Sequence, residues 1–226
     1  MPNLIILEEK EIVAQGLDVS KLPNQEIMKN YFFDDELEML QQLVKIENVF
    51  LNEEVTLLYP GCGADILTPL LYLEKISPRV GKVRMVCVDI SDSFKLMKTI
   101  LHEVGVSFAD IKGAEKKVKK KEEEVVGERV VERIQFYWKG ILMELYFHQQ
   151  NIARFLHEFA SFDIYFEKCF RIMKDRMPEY ETVIYDKLAQ GGLVISDSGF
   201  SQVGLEKIEV DSRLSAYGEM IIGRKK

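Results

Sequence analysis

The amino-acid sequence predicts an α/β fold built on a doubly wound, mainly parallel sheet. From residue 55 onward, short apolar segments typical of strands alternate with amphipathic helical segments, as expected of strands joined by crossover helices. Residues 83–88 are almost continuously apolar, which is typical of a strand covered by helices on both faces. Near the end of the chain, residues 207–210 and 219–222 predict an antiparallel strand pair added at one edge of the sheet.

The length and composition are those of a single domain with an extension. The chain has 226 residues, of which 47% are hydrophobic and 30% are charged, enough for one sizeable core and an ordinary surface. No apolar run approaches the roughly 20 residues that span a bilayer, so no membrane association is expected. The apolar stretch at residues 4–7 is too short for a signal peptide, and the expected location is therefore cytoplasmic.

The charge and the cysteine content disfavour several classes of function. With 30 Lys+Arg against 37 Asp+Glu the net charge is -7, and a chain of this sign repels phosphate backbones, so a nucleic-acid partner is not expected. The three cysteines are far apart and show neither Cys-x-x-Cys nor Cys/His spacing. We therefore expect no disulfide framework and no metal site.

Two regions depart from the alternating pattern. Residues 1–54 are predicted to form a helical amino-terminal extension, in which residues 34–36 supply an acidic helix cap and the following apolar side chains share one face. From its position, this extension is a candidate lid over an acceptor site. Residues 112–124 hold six Lys and four Glu, which predicts a solvated segment within a charged insertion near 106–133.

A glycine-rich turn follows the first predicted strand, residues 55–59. Residues 60–63 (Pro-Gly-Cys-Gly) form this turn and precede a helix over 66–76. Glycine lets a ligand approach the backbone closely because it has no Cβ, and the free amides at a helix amino terminus bind polar or charged groups. Asp89 ends the next strand, where a carboxylate in a doubly wound sheet accepts hydrogen bonds from ribose hydroxyls. Together they predict a nucleoside-bearing ligand across the strand ends.

Downstream segments complete the predicted sheet. A helix opens at Pro178 and is expected to stop at Gly191-Gly192. The remaining predicted strands are 134–138 with 141–147 (a hairpin or two adjacent strands), 162–166 and 193–196.

These segments resemble the class I S-adenosylmethionine-dependent methyltransferases over roughly residues 55–197. The likeness lies in the glycine loop, in the strand end Val-Cys-Val-Asp89-Ile90, in the Phe-Asp start of residues 162–166 and in the Gly-Gly segment before residue 193. The resemblance implies that residues 55–226 form a Rossmann-like cofactor-binding domain and that the cofactor is S-adenosylmethionine. It also implies transfer of a methyl group to a small-molecule or protein acceptor. The Asn/Asp-Pro-Pro-aromatic motif of nucleic-acid amino methylation is missing.

The resemblance also implies a set of cofactor-binding residues and identifies no catalytic one. Gln150 and Asn151 are the candidates for the adenine amine. Glu167, Lys168 and Asp197 lie near strand ends as candidate bases. The full set of expected cofactor contacts is Tyr59, Pro60, Gly61, Cys62, Gly63, Asp65, Asp89, Ile90, Gln150, Asn151 and Phe166.

Two positions of the loop depart from the family pattern and leave alternatives open. Tyr59 stands where the family usually has an acid, and Asp65 stands where it has a third glycine. Either Asp65 takes over the task of positioning the cofactor's amino-acid end, or cofactor affinity is weakened or lost. The alternative function is therefore a non-catalytic protein of the same fold that binds a nucleoside or a protein partner. A nicotinamide-dependent oxidoreductase is a third, less supported interpretation, because its fingerprint also needs the missing glycine.

Cys62 is a weaker candidate nucleophile. A helix amino terminus lowers the pKa of a nearby thiol, but no histidine in the sequence is placed to partner this one. The acceptor and the oligomeric state are not indicated by the sequence.

Overall fold

The computed structural model describes residues 17–33, 35–43, 53–76, 80–111, 131–215 and 217–226. The charged run at 112–124 and Asp34 of the predicted helix cap lie outside the described residues.

A nine-stranded sheet in the described part of the chain forms the centre of the molecule. Its strands are β1 (Glu54–Pro60), β2 (Lys82–Asp89), β3 (Phe108–Asp110), β4 (Val131–Trp138), β5 (Ile141–Gln149), β6 (Phe162–Glu167), β7 (Leu188–Ser196), β8 (Leu205–Ile208) and β9 (Ile221–Lys225). The strand order is β3-β4-β5-β2-β1-β6-β7-β9-β8. The five central strands, in sheet order β5, β2, β1, β6 and β7, run parallel to one another. The edge strands pair antiparallel with their neighbours: β3 and β4 at one side, β9 and β8 at the other. The predicted fold class, including the closing antiparallel pair, is confirmed.

Helices cover both faces of the sheet, which makes it doubly wound. They are α1 (Gln25–Met28), α2 (Glu36–Gln42), α3 (Leu67–Ile76), α4 (Phe94–Glu103), α5 (Ile152–Glu158), α6 (Ile172–Arg176) and α7 (Tyr180–Lys187). Buried side chains of α1 to α4 pack on one face of the sheet, and those of α5 and α7 on the other. Successive β2 residues alternate between the two clusters, with Met85 in one and Val86 in the other, so burial on both faces explains the continuous apolar run.

The strand order reverses direction at β1. From β1 the chain crosses to β2 on one side, and later elements extend the sheet through β6 on the other. In an open α/β sheet a crevice opens at such a switch point, outside the carboxyl ends of the strands. The loops that follow β1, β2 and β6 are therefore brought to one edge.

The carboxyl-terminal half corrects one prediction. Gly191 and Gly192 do not stop a helix, because α7 has already ended at Lys187 and both glycines lie inside β7. The β6–β7 register shifts beside them. A Cβ at Gly192 would lie 2.7 Å from the Asp163 carbonyl oxygen, so only glycine fits this close approach.

Both ends of the predicted charged insertion, near residues 106–133, contain strands of the sheet. Residues 108–110 form β3, which was not predicted, and β4 begins at Val131, three residues earlier than expected. The predicted hairpin is formed by β4 and β5. The division of the chain at residues 54 and 55 stays a prediction.

The turn between β4 and β5 is tied to the end of α3. Trp138 is buried, and its indole Nε1 donates to Glu74 Oε1 at 2.8 Å. The Lys139 Nζ lies 2.6 Å from the other Glu74 oxygen. These two contacts lie at the amino-terminal ends of the parallel strands, opposite the crevice.

Replacing Gly192 with alanine is expected to destabilise the protein by about 1–3 kcal/mol, because the added methyl group overlaps backbone oxygens. Chemical denaturation measures this difference. Gly204→Ala is the matched control: no atom lies within 4 Å of its Cβ position, so a change within about 0.5 kcal/mol is expected. Equal effects of the two substitutions would contradict the close approach at β7.

Candidate functional site

A cleft of about 370 Å³ lies at the carboxyl ends of β1 and β6. It is lined by Tyr31, Phe33, Tyr59, Gly61, Cys62, Gly63, Ala64, Asp65, Ile66, Leu67, Ile100, Lys168 and Cys169. Five of the predicted site residues are among them: Tyr59, Gly61, Cys62, Gly63 and Asp65. The loop after β1 therefore forms one wall of this cleft, and the loop after β6 and the amino-terminal segment form the others.

The two glycines of the loop have different surroundings. Both have positive φ, 59° at Gly61 and 51° at Gly63, a conformation that favours glycine. A Cβ on Gly63 would meet no atom within 4 Å, whereas one on Gly61 would lie 1.9 Å from the Phe170 ring. Gly63 thus leaves open space beside the backbone, and the absence of a side chain at Gly61 accommodates Phe170.

Asp89 holds the glycine loop against the end of β2. Its Oδ2 accepts a hydrogen bond from Gly63 N at 2.8 Å, and its Oδ1 accepts one from Ser91 N at 2.8 Å. Ser93 Oγ donates to the Gly63 carbonyl at 2.5 Å, and Gly61 N donates to the Val88 carbonyl at 2.8 Å. The loop and the carboxylate, which the sequence predicts to face one another, are in direct contact.

The two departures from the family pattern form one hydrogen-bonded pair. The Tyr59 hydroxyl donates to Asp65 Oδ2 at 2.9 Å, and Asp65 Oδ1 accepts from Thr68 N at 3.1 Å in the first turn of α3. Burial, and then the negative charge of Asp65, raise the pKa of Tyr59 well above its usual value, so the phenol stays a neutral donor. The carboxylate that the loop lacks at residue 59 is thus supplied six residues later.

Lys168 places a positive charge in the same cleft. Its Nζ lies 2.6 Å from Glu36 Oε1 of α2 and 3.2 Å from Thr68 Oγ1 of α3. Burial lowers the pKa of Lys168, but Asp65 and Glu36 outweigh it and leave the pKa raised. An ammonium held in this state is not a general base, which removes one candidate of the sequence prediction.

The other two candidate bases are engaged in structural contacts. The Glu167 side chain is fully buried, 3.0 Å from Lys174 Nζ, and accepts from the Tyr165 hydroxyl at 2.7 Å. Both oxygens of Asp197 accept from Cys169 N, at 3.0 and 2.9 Å, and burial raises the pKa of this carboxyl. Neither side chain lines the cleft.

Cys62 is not an activated nucleophile. Its hydrogen bond with Cys87, followed by burial, raises the pKa of its thiol far above the usual value. The prediction that a helix amino terminus would lower this pKa is wrong, because the thiol is buried in the core beside Cys87. Cys169 also lines the cleft and is exposed.

The other six predicted residues lie outside the cleft lining; besides Asp89 and Gln150 they are Pro60, Phe166, Ile90 and Asn151. Pro60 and Phe166 are buried in the sheet, where the Phe166 ring packs edge-on against Tyr59 at 4.8 Å. Ile90 is 73% exposed just after Asp89. The Asn151 side chain caps α5 by accepting from Ala153 N at 2.8 Å, which engages the oxygen expected to meet adenine.

Gln150 differs from its neighbour Asn151. Its backbone N donates to the Asp89 carbonyl at 2.8 Å, so the residue lies directly beside the end of β2. Its side-chain Nε2 is buried and has no hydrogen-bond partner among the described residues. A buried donor without a partner is costly, and a ligand acceptor would remove the cost.

The amino-terminal segment contributes two aromatic side chains to the cleft. Tyr31 and Phe33 line it, and Phe33 is 82% exposed. The Tyr31 hydroxyl is hydrogen-bonded to Glu103 at the end of α4, and this bond raises the pKa of Tyr31 to about 12. No sequence pattern pointed to Glu36 or Lys168 as a pair, since 132 residues separate them.

A larger hollow of about 860 Å³ lies beside α6 and β8. Side chains of both charge signs line it, and none of the predicted cofactor residues does. Among the described residues no cluster of three or more His, Cys, Asp or Glu side chains is arranged to hold a metal ion. No helix in the described ranges has the length and apolarity needed to cross a bilayer.

Comparisons with known proteins give only distant structural likenesses. No protein-family model and no curated protein matches the chain. PKMT2 from Rickettsia typhi, solved in complex with AdoHcy, aligns at 14% identity and a TM-score of 0.37, covering 74% of this chain and 25% of its own. The chain thus spans about a quarter of that relative.

Two further structures show a likeness of the same order. An S-adenosyl-L-methionine methyl transferase from Silicibacter pomeroyi aligns at 12% identity and a TM-score of 0.38, covering 89% of this chain and 93% of its own. A precorrin-6y C5,15-methyltransferase from Geobacter metallireducens aligns at 8% identity and a TM-score of 0.36, covering 71% and 59%. These two structures are described as methyltransferases. The function proposed below depends on the glycine loop, on its contact with Asp89 and on the adjoining cleft, and not on these likenesses.

Iodoacetamide at neutral pH is expected to modify Cys169 in the folded protein and to leave Cys62 and Cys87 unmodified. Alkylation needs access to a thiolate. Burial and then Asp197 raise the pKa of the Cys169 thiol, which slows its reaction, but Cys169 is exposed whereas Cys62 and Cys87 are buried. Peptide mass spectrometry before and after denaturation measures this order. Cys169→Ser is expected to abolish labelling of the native protein. Labelling of Cys62 at the rate of Cys169 would show that the thiol does not lie in the core.

Proposed function

We propose that the protein is an S-adenosylmethionine-dependent methyltransferase acting on a small-molecule or protein acceptor. The observation that carries the proposal is the contact between the glycine loop and Asp89 at the switch point of the sheet. It places an open backbone segment, a carboxylate and a cleft side by side. This is the arrangement in which doubly wound sheets bind nucleosides.

The residues present fit the three parts of such a cofactor. Each oxygen of Asp89 accepts one hydrogen bond from the protein and keeps capacity for a ribose hydroxyl. The side-chain amide of Gln150 is a buried donor that has no hydrogen-bond partner in the part of the chain that the structure describes, and it could donate to a nitrogen of adenine. The exposed Ile90 side chain offers an apolar surface for the adenine ring. Asp65 faces the cleft as the negative group for the amino-acid end.

The protein's part in the reaction is to bind, orient and exclude water. The cofactor, when bound, supplies an electrophilic methyl group, so an aligned acceptor atom is the main requirement. Tyr31 and Phe33 line the cleft beside the loop, which favours the amino-terminal segment as the cover that shields the acceptor from water. No side chain is assigned as general base.

S-adenosylhomocysteine is expected to raise the melting temperature of the protein, since a ligand that binds only the native state stabilises it. In Asp89→Asn most of this shift is expected to be lost, because the ribose hydroxyls lose a charged acceptor. Differential scanning fluorimetry measures the shift of each variant relative to its own ligand-free melting temperature. This reference separates the loss of binding from a change in the stability of the ligand-free variant.

Asp110→Asn is the matched control, because it removes one carboxylate charge that pairs with Lys98 and leaves the glycine loop intact. Its ligand-induced shift is expected to equal that of the unmodified protein. An undiminished shift in Asp89→Asn would contradict the ribose assignment. A response to NAD and none to S-adenosylhomocysteine would favour the oxidoreductase.

One observation favours the second candidate, a non-catalytic protein of this fold. The Phe170 ring occupies the space beside Gly61, on the loop where a ligand would approach. A regulator that binds the nucleoside without transferring its methyl group is compatible with that packing. Incubation with methyl-labelled S-adenosylmethionine and candidate acceptors separates the two, since label transferred to any acceptor establishes the enzyme.

A further inference from the structure

The cleft carries a positive and a negative charge at separate points of its wall. Asp65 lies at the start of α3, and Lys168 lies in the loop after β6. Both line the same cleft, and their charges interact, since Asp65 helps to hold the Lys168 ammonium in its charged form. A site with both signs is complementary to a zwitterion, not to a simple anion or cation.

Lys168 is held in place but retains binding capacity. An ammonium has three donors, and the hydrogen bonds to Glu36 and Thr68 use two of them. Its side chain is 22% exposed, and the residue lines the cleft. These two contacts restrict the rotation of the flexible Lys168 side chain. Less side-chain entropy is therefore lost when a ligand binds to it.

We propose that Lys168 binds the carboxylate of the cofactor's amino-acid tail, opposite Asp65, which binds its ammonium. The inference rests on the proposed function and adds the recognition of the tail. Glu36 presents the same chemical group to Lys168 from the amino-terminal segment. Two carboxylates at one ammonium repel each other, so Glu36 competes with the ligand for Lys168.

Isothermal titration calorimetry with two probes tests the proposal. S-adenosylmethionine carries the carboxylate, and decarboxylated S-adenosylmethionine lacks it but keeps the amine. Lys168→Met is expected to weaken S-adenosylmethionine binding about ten- to hundredfold, the usual effect of losing a hydrogen bond between charged groups. Binding of the decarboxylated probe is expected to be unchanged or tighter. Asp65→Asn is expected to weaken both probes.

Two variants control for the loss of a charge and for folding. Lys139→Met removes another lysine with a 2.6 Å ion pair, at the opposite edge of the sheet, and is expected to change neither affinity. Lys168→Arg keeps the positive charge, and this variant is expected to keep most of the preference of the unmodified protein for S-adenosylmethionine over the decarboxylated probe. Equal weakening of both probes by Lys168→Met, or no effect on either, would overturn the proposal.

Because Glu36 competes with the ligand for Lys168, removing its charge is expected to strengthen S-adenosylmethionine binding, whereas Lys168→Met weakens it. Glu36→Gln is expected to tighten S-adenosylmethionine binding about two- to fivefold, the scale of a partly exposed ion pair, with no gain for the decarboxylated probe. Weaker binding of S-adenosylmethionine in this variant would overturn the competition. If the unmodified protein binds neither probe, the proposed function itself fails, which is a separate outcome.

Discussion

The Asp89 carboxylate is the interaction on which the site depends. It joins the end of β2 to Gly63, 26 residues earlier in the chain, with both oxygens engaged by backbone donors. A charged acceptor for two amides is stronger than a neutral one. Because the sheet reverses its order at β1, this bond is made at the mouth of the crevice. The same group that shapes the loop is therefore the one that we propose as the acceptor for ribose hydroxyls.

Much of the fold and part of the site follow from local sequence patterns. The strand 55–59, the turn after it and the position of Asp89 are signalled by residues close together in the chain, since burial on two faces requires a continuous apolar run and a tight turn requires glycine. The structure places these elements as predicted. The closing strand pair follows from the same kind of signal.

The remaining features depend on contacts between distant residues, which no local pattern encodes. The packing of Phe170 on Gly61, the burial of Cys62 beside Cys87 and the pairing of Lys168 with Glu36 each join different loops or elements. The prediction that Gly191 and Gly192 end a helix is wrong for a related reason. A glycine required by the close approach of a neighbouring strand resembles, in sequence, a glycine that ends a helix.

The position of Trp138 has a spectroscopic consequence. It is the only tryptophan of the chain, it is buried, and it is hydrogen-bonded to Glu74 at the edge of the parallel strands opposite the cleft. Its emission changes when the core unfolds, but it does not respond to a molecule that binds in the cleft at the opposite ends of the strands. Tryptophan fluorescence, excited at a wavelength that the tyrosines of the cleft do not absorb, thus reports global unfolding rather than occupancy of the cleft.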